Sequence, residues 1–83
     1  MIKVLYFAGV REALGASGES LDLPSGIATV GALREQIAAR GEPWMALKRI
    51  KNLRCAVNQV MAGFDAPVKD GDEIAFFPPV TGG

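Results

Sequence analysis

Glu73-Ile74-Ala75-Phe76-Phe77-Pro78-Pro79-Val80-Thr81-Gly82-Gly83 closes the sequence and predicts a strand followed by an extended tail. The apolar run 73–77 follows a turn rich in Asp and Gly, as strands commonly do. Ile74 and Phe76 share one face of this strand, and Ala75 and Phe77 share the other. Two prolines stop the strand, and the final glycines carry no side chain that could clash inside a narrow active site.

The start of the chain predicts a second strand, over residues 2–8. Ile2, Val4 and Tyr6 fall on one face of it, whereas Lys3 and Leu5 fall on the other together with Phe7. Because Lys3 lies on the second face, we expect that face not to be fully buried. Phe7 is therefore a candidate exposed aromatic residue.

The middle of the chain predicts the remaining elements. Thr29 is a good helix N-cap, and apolar residues at helical spacing follow it, so the main helix is expected at about 30–40. Pro43 suits the first position of a second short helix, over 43–49. We also expect a helical turn at 10–14 closed by Gly15, a strand at 19–23 with Leu21 and Leu23 inward, and strands at 54–59 and 60–64.

This order of elements predicts an α+β fold, with a mixed sheet of four or five strands and one main helix packed on one face. Residues 1–77 would form the domain, and residues 78–83 a flexible C-terminal tail. The arrangement resembles the β-grasp of ubiquitin, in which the first and last strands lie side by side. That adjacency follows from the resemblance and not from the periodicity of the sequence.

The composition excludes several classes of function. The 83 residues contain no His and a single Cys, Cys55, which removes His-based general bases, Cys-His nucleophiles and His/Cys zinc sites. The nine basic and nine acidic residues cancel, so we expect no nucleic-acid or membrane partner. Without a signal peptide or a long apolar run, a cytoplasmic location is expected. The chain is therefore a binding module, a carrier, or a subunit whose catalytic groups lie on a partner.

Four segments carry a resemblance to a known family: residues 1–8, residues 10–12, residues 56–59 (Ala-Val-Asn-Gln) and the ending 70–83. The chain resembles the molybdopterin synthase small subunits (MoaD) of the MoaD/ThiS family of ubiquitin-like sulfur carriers. The resemblance covers the whole chain. Its most specific motif is Asp-Gly-Asp-Glu-x-Ala-Phe-Phe-Pro-Pro-Val-x-Gly-Gly at the end of the sequence.

The resemblance implies a cycle in which Gly83 is the reacting residue, preceded by Gly82. A ubiquitin-activating-type adenylyltransferase (MoeB-like) would adenylate the Gly83 carboxylate with ATP and Mg²⁺, and a sulfur donor would convert it to a thiocarboxylate. The charged chain would then dock on the MoaE-like large subunit, usually in a heterotetramer, and pass sulfur to cyclic pyranopterin monophosphate to build the dithiolene of molybdopterin. The chain itself would bind no cofactor, so "enzyme" would describe the complex.

The same resemblance implies a set of partner-binding residues. Phe7, Met61 and Phe77 would form an apolar docking patch, and Arg11 would make an ionic contact to the activating enzyme. The tail would enter the partner's active site through Pro78, Pro79, Val80 and Thr81. Each of these residues also has a purely structural interpretation. The aromatic residues could pack in the core, and Arg11 could be a solvated surface residue.

Other residues receive a structural interpretation. Cys55 could carry sulfur as a persulfide, but its place within an apolar strand favours a buried small residue. Asp70, Asp72 and Glu73 could suggest a metal site, but they flank Gly71, which favours a polar turn.

Three alternative functions remain open at this point. The chain could be a sulfur carrier of the thiamine thiazole type, although such carriers are usually shorter and lack the Phe-Phe-Pro-Pro-Val-Thr segment. It could be a ubiquitin-like modifier joined to protein lysines through Gly83, or a plain binding module with an inert tail.

Overall fold

The computed structural model describes residues 1–79, which form one five-stranded sheet and three helices. The strands are β1 (Ile2–Tyr6), β2 (Gly18–Leu21), β3 (Arg54–Val57), β4 (Val60–Ala62) and β5 (Glu73–Phe77). The helices are α1 (Ala8–Leu14), α2 (Val30–Ala38) and α3 (Ala46–Arg49). The predicted α+β class is confirmed.

The sheet is mixed, and its strand order is β2-β1-β5-β3-β4. β1 and β5 pair in parallel at the centre, with Val4 opposite Ile74 and Tyr6 opposite Phe76. The other pairings, β1 with β2, β3 with β5 and β3 with β4, are antiparallel. The two ends of the chain therefore meet in the middle of the sheet, which is the β-grasp arrangement that the resemblance implied.

The core lies on one face of this sheet. On this face, the buried side chains of β1 and β5 are those predicted from alternation: Ile2, Val4 and Tyr6 from β1, and Ile74 and Phe76 from β5. The helices cover this face with Val10 and Leu14 of α1, Val30, Leu33 and Ile37 of α2, and Leu47 of α3. Cys55 and Val57 of β3 also face the core. Because alternate residues of a strand point to opposite faces, the other residues of these three strands lie on the opposite, open face. The small residues Ala56 and Ala75 are buried there as well.

The main helix begins where the sequence predicted. Thr29 has extended backbone, and its side-chain oxygen accepts a hydrogen bond of 3.1 Å from the Ala32 N–H. The first two N–H groups of the helix donate to carbonyls of the segment between β4 and β5. Val30 donates to the Ala66 carbonyl at 3.0 Å, and Gly31 donates to the Phe64 carbonyl at 2.7 Å. A Cβ at Gly31 would lie 3.1 Å from that Phe64 oxygen, so this close approach explains the glycine.

Several predicted boundaries were wrong. The strand expected at 60–64 ends early, at Ala62. The strand expected at 54–59 ends at Val57, because Asn58 (φ 51°) and Gln59 (φ 69°) both take left-handed backbone and form a two-residue hairpin turn to β4. The first strand stops at Tyr6, and Phe7 is instead the N-cap of α1. Pro43 does not begin the second short helix, since residues 42–45 form turns and the helix starts at Ala46.

The second strand was also displaced, lying at 18–21 instead of 19–23. Leu21 and Leu23 nevertheless pack against the core as predicted. Gly15 closes α1 as expected: it takes left-handed backbone (φ 71°), and its N–H donates to the Arg11 carbonyl at 2.9 Å.

Candidate docking surface and tail root

The open face of the sheet carries one row of aligned residues across four strands. Leu5 lies opposite Ala75, Ala75 opposite Ala56, and Ala56 opposite Met61. The two alanines lie on the inner strands β5 and β3, and the larger Leu5 and Met61 lie outside them. Small residues in the middle and large residues at the sides leave a trough in the sheet.

This trough is a groove with a volume of about 480 Å³. Its walls include the three residues predicted as the docking patch: Phe7, which is 46% exposed, Met61, which is 61% exposed, and the partly buried Phe77. Gln59 and Glu73 close the end away from the aromatic residues. Exposed aromatic and methionine side chains around an apolar concavity are typical of protein-binding surfaces.

The tail leaves the sheet beside this groove. β5 ends at Phe77, a wall of the groove, and the partly buried Pro78 and Pro79 follow directly. Proline has no N–H for the ladder, which explains why the strand stops there. The predictions for Val80, Thr81, Gly82 and Gly83 concern residues outside those that the structure describes.

Arg11 lies apart from the groove. It is exposed on α1, it does not line the groove, and it takes part in none of the ion pairs within residues 1–79. The backbone N–H of Arg11 donates to the Phe7 carbonyl at 3.3 Å, but Arg11 is not among the residues that line the groove with Phe7, Met61 and Phe77. Its contact with an activating enzyme stays a prediction.

Cys55 is fully buried in β3, and its thiol donates to the Ala62 carbonyl at 3.3 Å. Burial raises the pKa of the thiol, which disfavours the reactive thiolate at neutral pH. This environment supports the interpretation of Cys55 as a buried small residue.

The acidic residues before β5 organise the turn. Asp72 is buried, and its carboxylate accepts hydrogen bonds from the Lys69 N–H at 2.9 Å and from the Asn58 side-chain amide at 3.0 Å. These two donors, the backbone N–H first, lower the pKa of Asp72. Asp70 pairs with the Met1 amino group. Within residues 1–79, no cluster of His, Cys, Asp and Glu is arranged to hold a metal ion, and no helix there could cross a membrane.

Sequence reasoning missed Leu5, Ala56 and Ala75 as parts of the groove, and it missed the buried role of Asp72. Alternation had placed Leu5 and Ala75 on the open face. The trough itself depends on the alignment of Ala75 with Ala56, which the pairing of β5 with β3 creates. Only the strand order could have revealed it.

Comparison with known proteins identifies the family to which this sequence is similar. Residues 4–83 match the model of the ThiS family. The chain is 48% identical over 83 residues to the protein named molybdopterin synthase sulfur carrier subunit in Escherichia coli (strain K12), covering 100% of each.

Solved structures share the fold. SAMP1 from Haloferax volcanii superposes with a TM-score of 0.76 at 27% identity, over 99% of this chain and 98% of that one. A chain in the complex of subunits 1 and 2 of molybdopterin-converting factor from Helicobacter pylori 26695 gives a TM-score of 0.66 at 22% identity, over 99% and 97%. On the family match and the full-length identity, this chain belongs to the ThiS family.

Proposed function

We propose that this chain is the sulfur carrier subunit of a molybdopterin synthase. In this function Gly83 is adenylated and converted to a thiocarboxylate, and its sulfur passes to cyclic pyranopterin monophosphate to form the molybdopterin dithiolene. One structural observation carries the proposal: the last strand runs through the centre of the sheet and ends at Phe77, in the wall of an exposed apolar groove. A partner that binds the groove therefore holds the root of the reactive tail.

Activation is needed because a carboxylate is a poor electrophile. Its negative charge is delocalised over two oxygens, and neither oxygen is a good leaving group. Coupling to AMP, with release of pyrophosphate from ATP, neutralises the charge and supplies a leaving group. We therefore assign ATP and Mg²⁺ to a ubiquitin-activating-type adenylyltransferase of the MoeB kind.

The thiocarboxylate then serves as the sulfur nucleophile. Its acid is largely ionised at neutral pH, and its sulfur is soft and reactive. Holding sulfur covalently divides one difficult transfer into two easier steps and raises its effective concentration at the acceptor. The sulfur donor for the first step is a further partner.

The residue types in this chain favour a complex in which this subunit docks and carries sulfur while another subunit supplies the catalytic side chains. The chain has no His, and its one Cys is buried. The groove supplies docking, so we assign the catalytic side chains for sulfur transfer to a large, MoaE-like subunit. The relative from Escherichia coli is itself named a subunit, which supports the existence of such a partner.

The tail is long enough for delivery into a partner's active site. Six residues follow Phe77, and at about 3.3 Å per extended residue they span roughly 20 Å. Pro78 and Pro79 favour the polyproline II conformation, which projects the chain away from the sheet. This stiffness also lowers the entropy cost of ordering the tail when the partner binds.

A second candidate function is a ubiquitin-like modifier. The similarity to SAMP1, a protein described as a small archaeal modifier, favours it, and the same Gly83 adenylate could react with a lysine amine. The two functions differ in their products. A thiocarboxylate adds about 16 Da to the chain, because sulfur replaces oxygen, whereas conjugation to proteins gives much larger covalent species.

The test is to incubate the chain with the adenylating enzyme, ATP and a sulfur source, and to measure its intact mass. We expect the thiocarboxylate on the unmodified sequence and none after deletion of Gly83. Cys55→Ala is the matched control, because a persulfide on Cys55 would be lost in that variant while the thiocarboxylate would persist. Molybdopterin formation by the chain lacking Gly83 would contradict the carrier mechanism.

A further inference from the structure

Met61 places a thioether in the wall of the groove. It lies on the edge strand β4, opposite Ala56, and it lines the groove together with Phe7 and Phe77. Although it borders an apolar cavity, 61% of its surface is exposed. The side chain is therefore open to small molecules in solution until a partner covers the groove.

The other sulfur-containing side chains of the protein lie elsewhere. The sequence has three methionines and one cysteine, and the cysteine, Cys55, is fully buried in β3. Met1 is exposed before β1, and Met45 is exposed before α3, where it lines a different cavity. Met61 is therefore the one sulfur-containing residue that is both exposed and part of the groove.

An exposed thioether reacts with hydrogen peroxide to give methionine sulfoxide. A lone pair of the sulfur attacks one peroxide oxygen, the O–O bond breaks as the S–O bond forms, and the second oxygen leaves as water after proton transfer. The sulfur loses two electrons, and the peroxide is reduced. Methionine sulfoxide reductases restore the thioether, so the modification is reversible.

Oxidation would change the chemistry of the groove at this wall. The row that Met61 ends is otherwise apolar, since it consists of Leu5, Ala75 and Ala56. Methionine is flexible and apolar and adapts well to a partner surface, whereas its sulfoxide is polar. A partner that covers the groove would remove water from the sulfoxide oxygen, which costs binding free energy unless a new hydrogen bond replaces that water.

We propose that Met61 is an oxidation site that controls docking: hydrogen peroxide converts its thioether to the sulfoxide, and the modified chain binds the large subunit more weakly. This inference rests on the proposed function, because it takes the large subunit as the partner that covers the groove. It adds to that function a reversible, redox-dependent step at the docking surface, remote in sequence from the reacting Gly83.

The test treats the chain with hydrogen peroxide, removes the excess, and measures its Kd for the large subunit by calorimetry. The chain carries its free Gly83 carboxylate, because a thiocarboxylate would itself be oxidised. We expect the Kd to rise about 5- to 100-fold, the effect of one polar group buried without a partner. Met61→Leu has no sulfur at this position, so peroxide should leave its Kd unchanged, whatever its starting value. Met45→Leu is the matched control and should lose affinity on oxidation as the unmodified chain does.

Peptide mapping assigns the oxidised residue. A sulfoxide adds about 16 Da, as a thiocarboxylate also does, so the intact mass does not separate the two changes. Trypsin cleaves after Lys and Arg and places Met1, Met45, Met61 and Gly83 in four different peptides, 1–3, 41–48, 55–69 and 70–83. The same map gives the oxidation rate of each methionine. In the complex with the large subunit, Met61 should be oxidised more slowly than in the free chain, and Met45 at the same rate.

Three results would overturn the inference: a Met61 sulfoxide with undiminished affinity, an equal loss of affinity in peroxide-treated Met61→Leu, or equal oxidation of Met61 in the free chain and in the complex. The last measurement needs no variant, so it decides even if Met61→Leu does not fold. If the untreated chain does not bind the large subunit at all, the proposed function fails, and this inference fails with it.

Discussion

The hydroxyl group of Tyr6 donates a hydrogen bond of 2.8 Å to the Glu19 carboxylate, although the Tyr6 side chain is fully buried. Arg40 binds the same carboxylate through two nitrogens, each at 2.9 Å, and its guanidinium lies 4.8 Å from the centre of the Trp44 ring. Burial, and then the hydrogen bond to Glu19, raises the pKa of Tyr6, so the phenol remains a donor. This cluster joins β1 and β2 to the segment that follows α2.

Removing the acceptor from this cluster should destabilise the fold. Glu19→Ala leaves the buried Tyr6 hydroxyl without a partner, and we expect the free energy of unfolding to fall by about 1–3 kcal/mol. Tyr6→Phe removes the same hydroxyl, so the double variant should cost less than the sum of the two. Urea denaturation measures these differences. Glu35→Ala is the control, because the Glu35 pair with Lys48 is exposed, and it should cost about 0–1 kcal/mol.

The buried carboxylate of Asp72 should make stability depend on pH. Its pKa is lowered in the folded chain by the Lys69 N–H and the Asn58 amide. A lowered folded pKa stabilises the fold above the unfolded value of about 3.9, and that stability is lost as the pH falls through the lower folded pKa. We expect the unfolding free energy of the unmodified chain to drop as the pH falls from about 5 through the lowered folded pKa, and to drop less in Asp72→Asn.

Asp70→Asn is the matched control for this measurement. Asp70 lies in the same turn and is exposed, so its replacement removes one carboxylate without removing a buried acceptor. Glu19 contributes to acid destabilisation in the same direction, since Arg40 lowers its pKa. An Asp72→Asn variant as sensitive to acid as Asp70→Asn would contradict a role for Asp72 in acid stability.

The sequence predicted the fold well where local patterns decide it. Alternation fixed the buried faces of β1 and β5, and the cap at Thr29 fixed the start of α2. The errors included those at Asn58 and Pro43, where backbone torsion and turn geometry outweigh residue preference. Phe7 and Met61 were predicted as exposed anchors, and the structure confirms their exposure.

The trough could not be predicted from the sequence in the same way. In the sequence, nothing distinguishes Ala56 and Ala75 from other small residues. They become neighbours only because β3 pairs with β5. Pairing is a long-range property, and periodicity along one strand does not contain it.

Filling the trough should weaken binding to the large subunit without lowering the stability of the fold. In Ala75→Leu, the new side chain would occupy the groove between Leu5 and Ala56 on the open face. Leucine in a central strand adds apolar contact, so we expect stability to be unchanged or raised by under about 1 kcal/mol. Binding to the large subunit should weaken at least tenfold, because the space for the partner is gone. Calorimetry measures the affinity, and unchanged binding would show that the partner does not enter the trough.

Ser20→Leu is the control for that experiment. Ser20 lies opposite Lys3 on the edge strand β2, on the same open face but outside the groove. It adds a leucine to the same sheet without filling the space between the central strands. We therefore expect the affinity of Ser20→Leu to stay within about twofold of the unmodified chain. An equal loss in both variants would indicate a nonspecific effect of added apolar surface.

Phe77 should be an energetic anchor of the docking surface, because it lines the groove at the point where the tail begins. Truncation of a buried aromatic anchor typically costs about 1–4 kcal/mol of binding free energy, so Phe77→Ala should weaken binding to the large subunit by that amount. Val60→Ala is a matched control: Val60 is 67% exposed on β4 but lies outside the groove. If Val60→Ala weakened binding as much as Phe77→Ala, the contact surface would lie at the β4 edge and not in the groove.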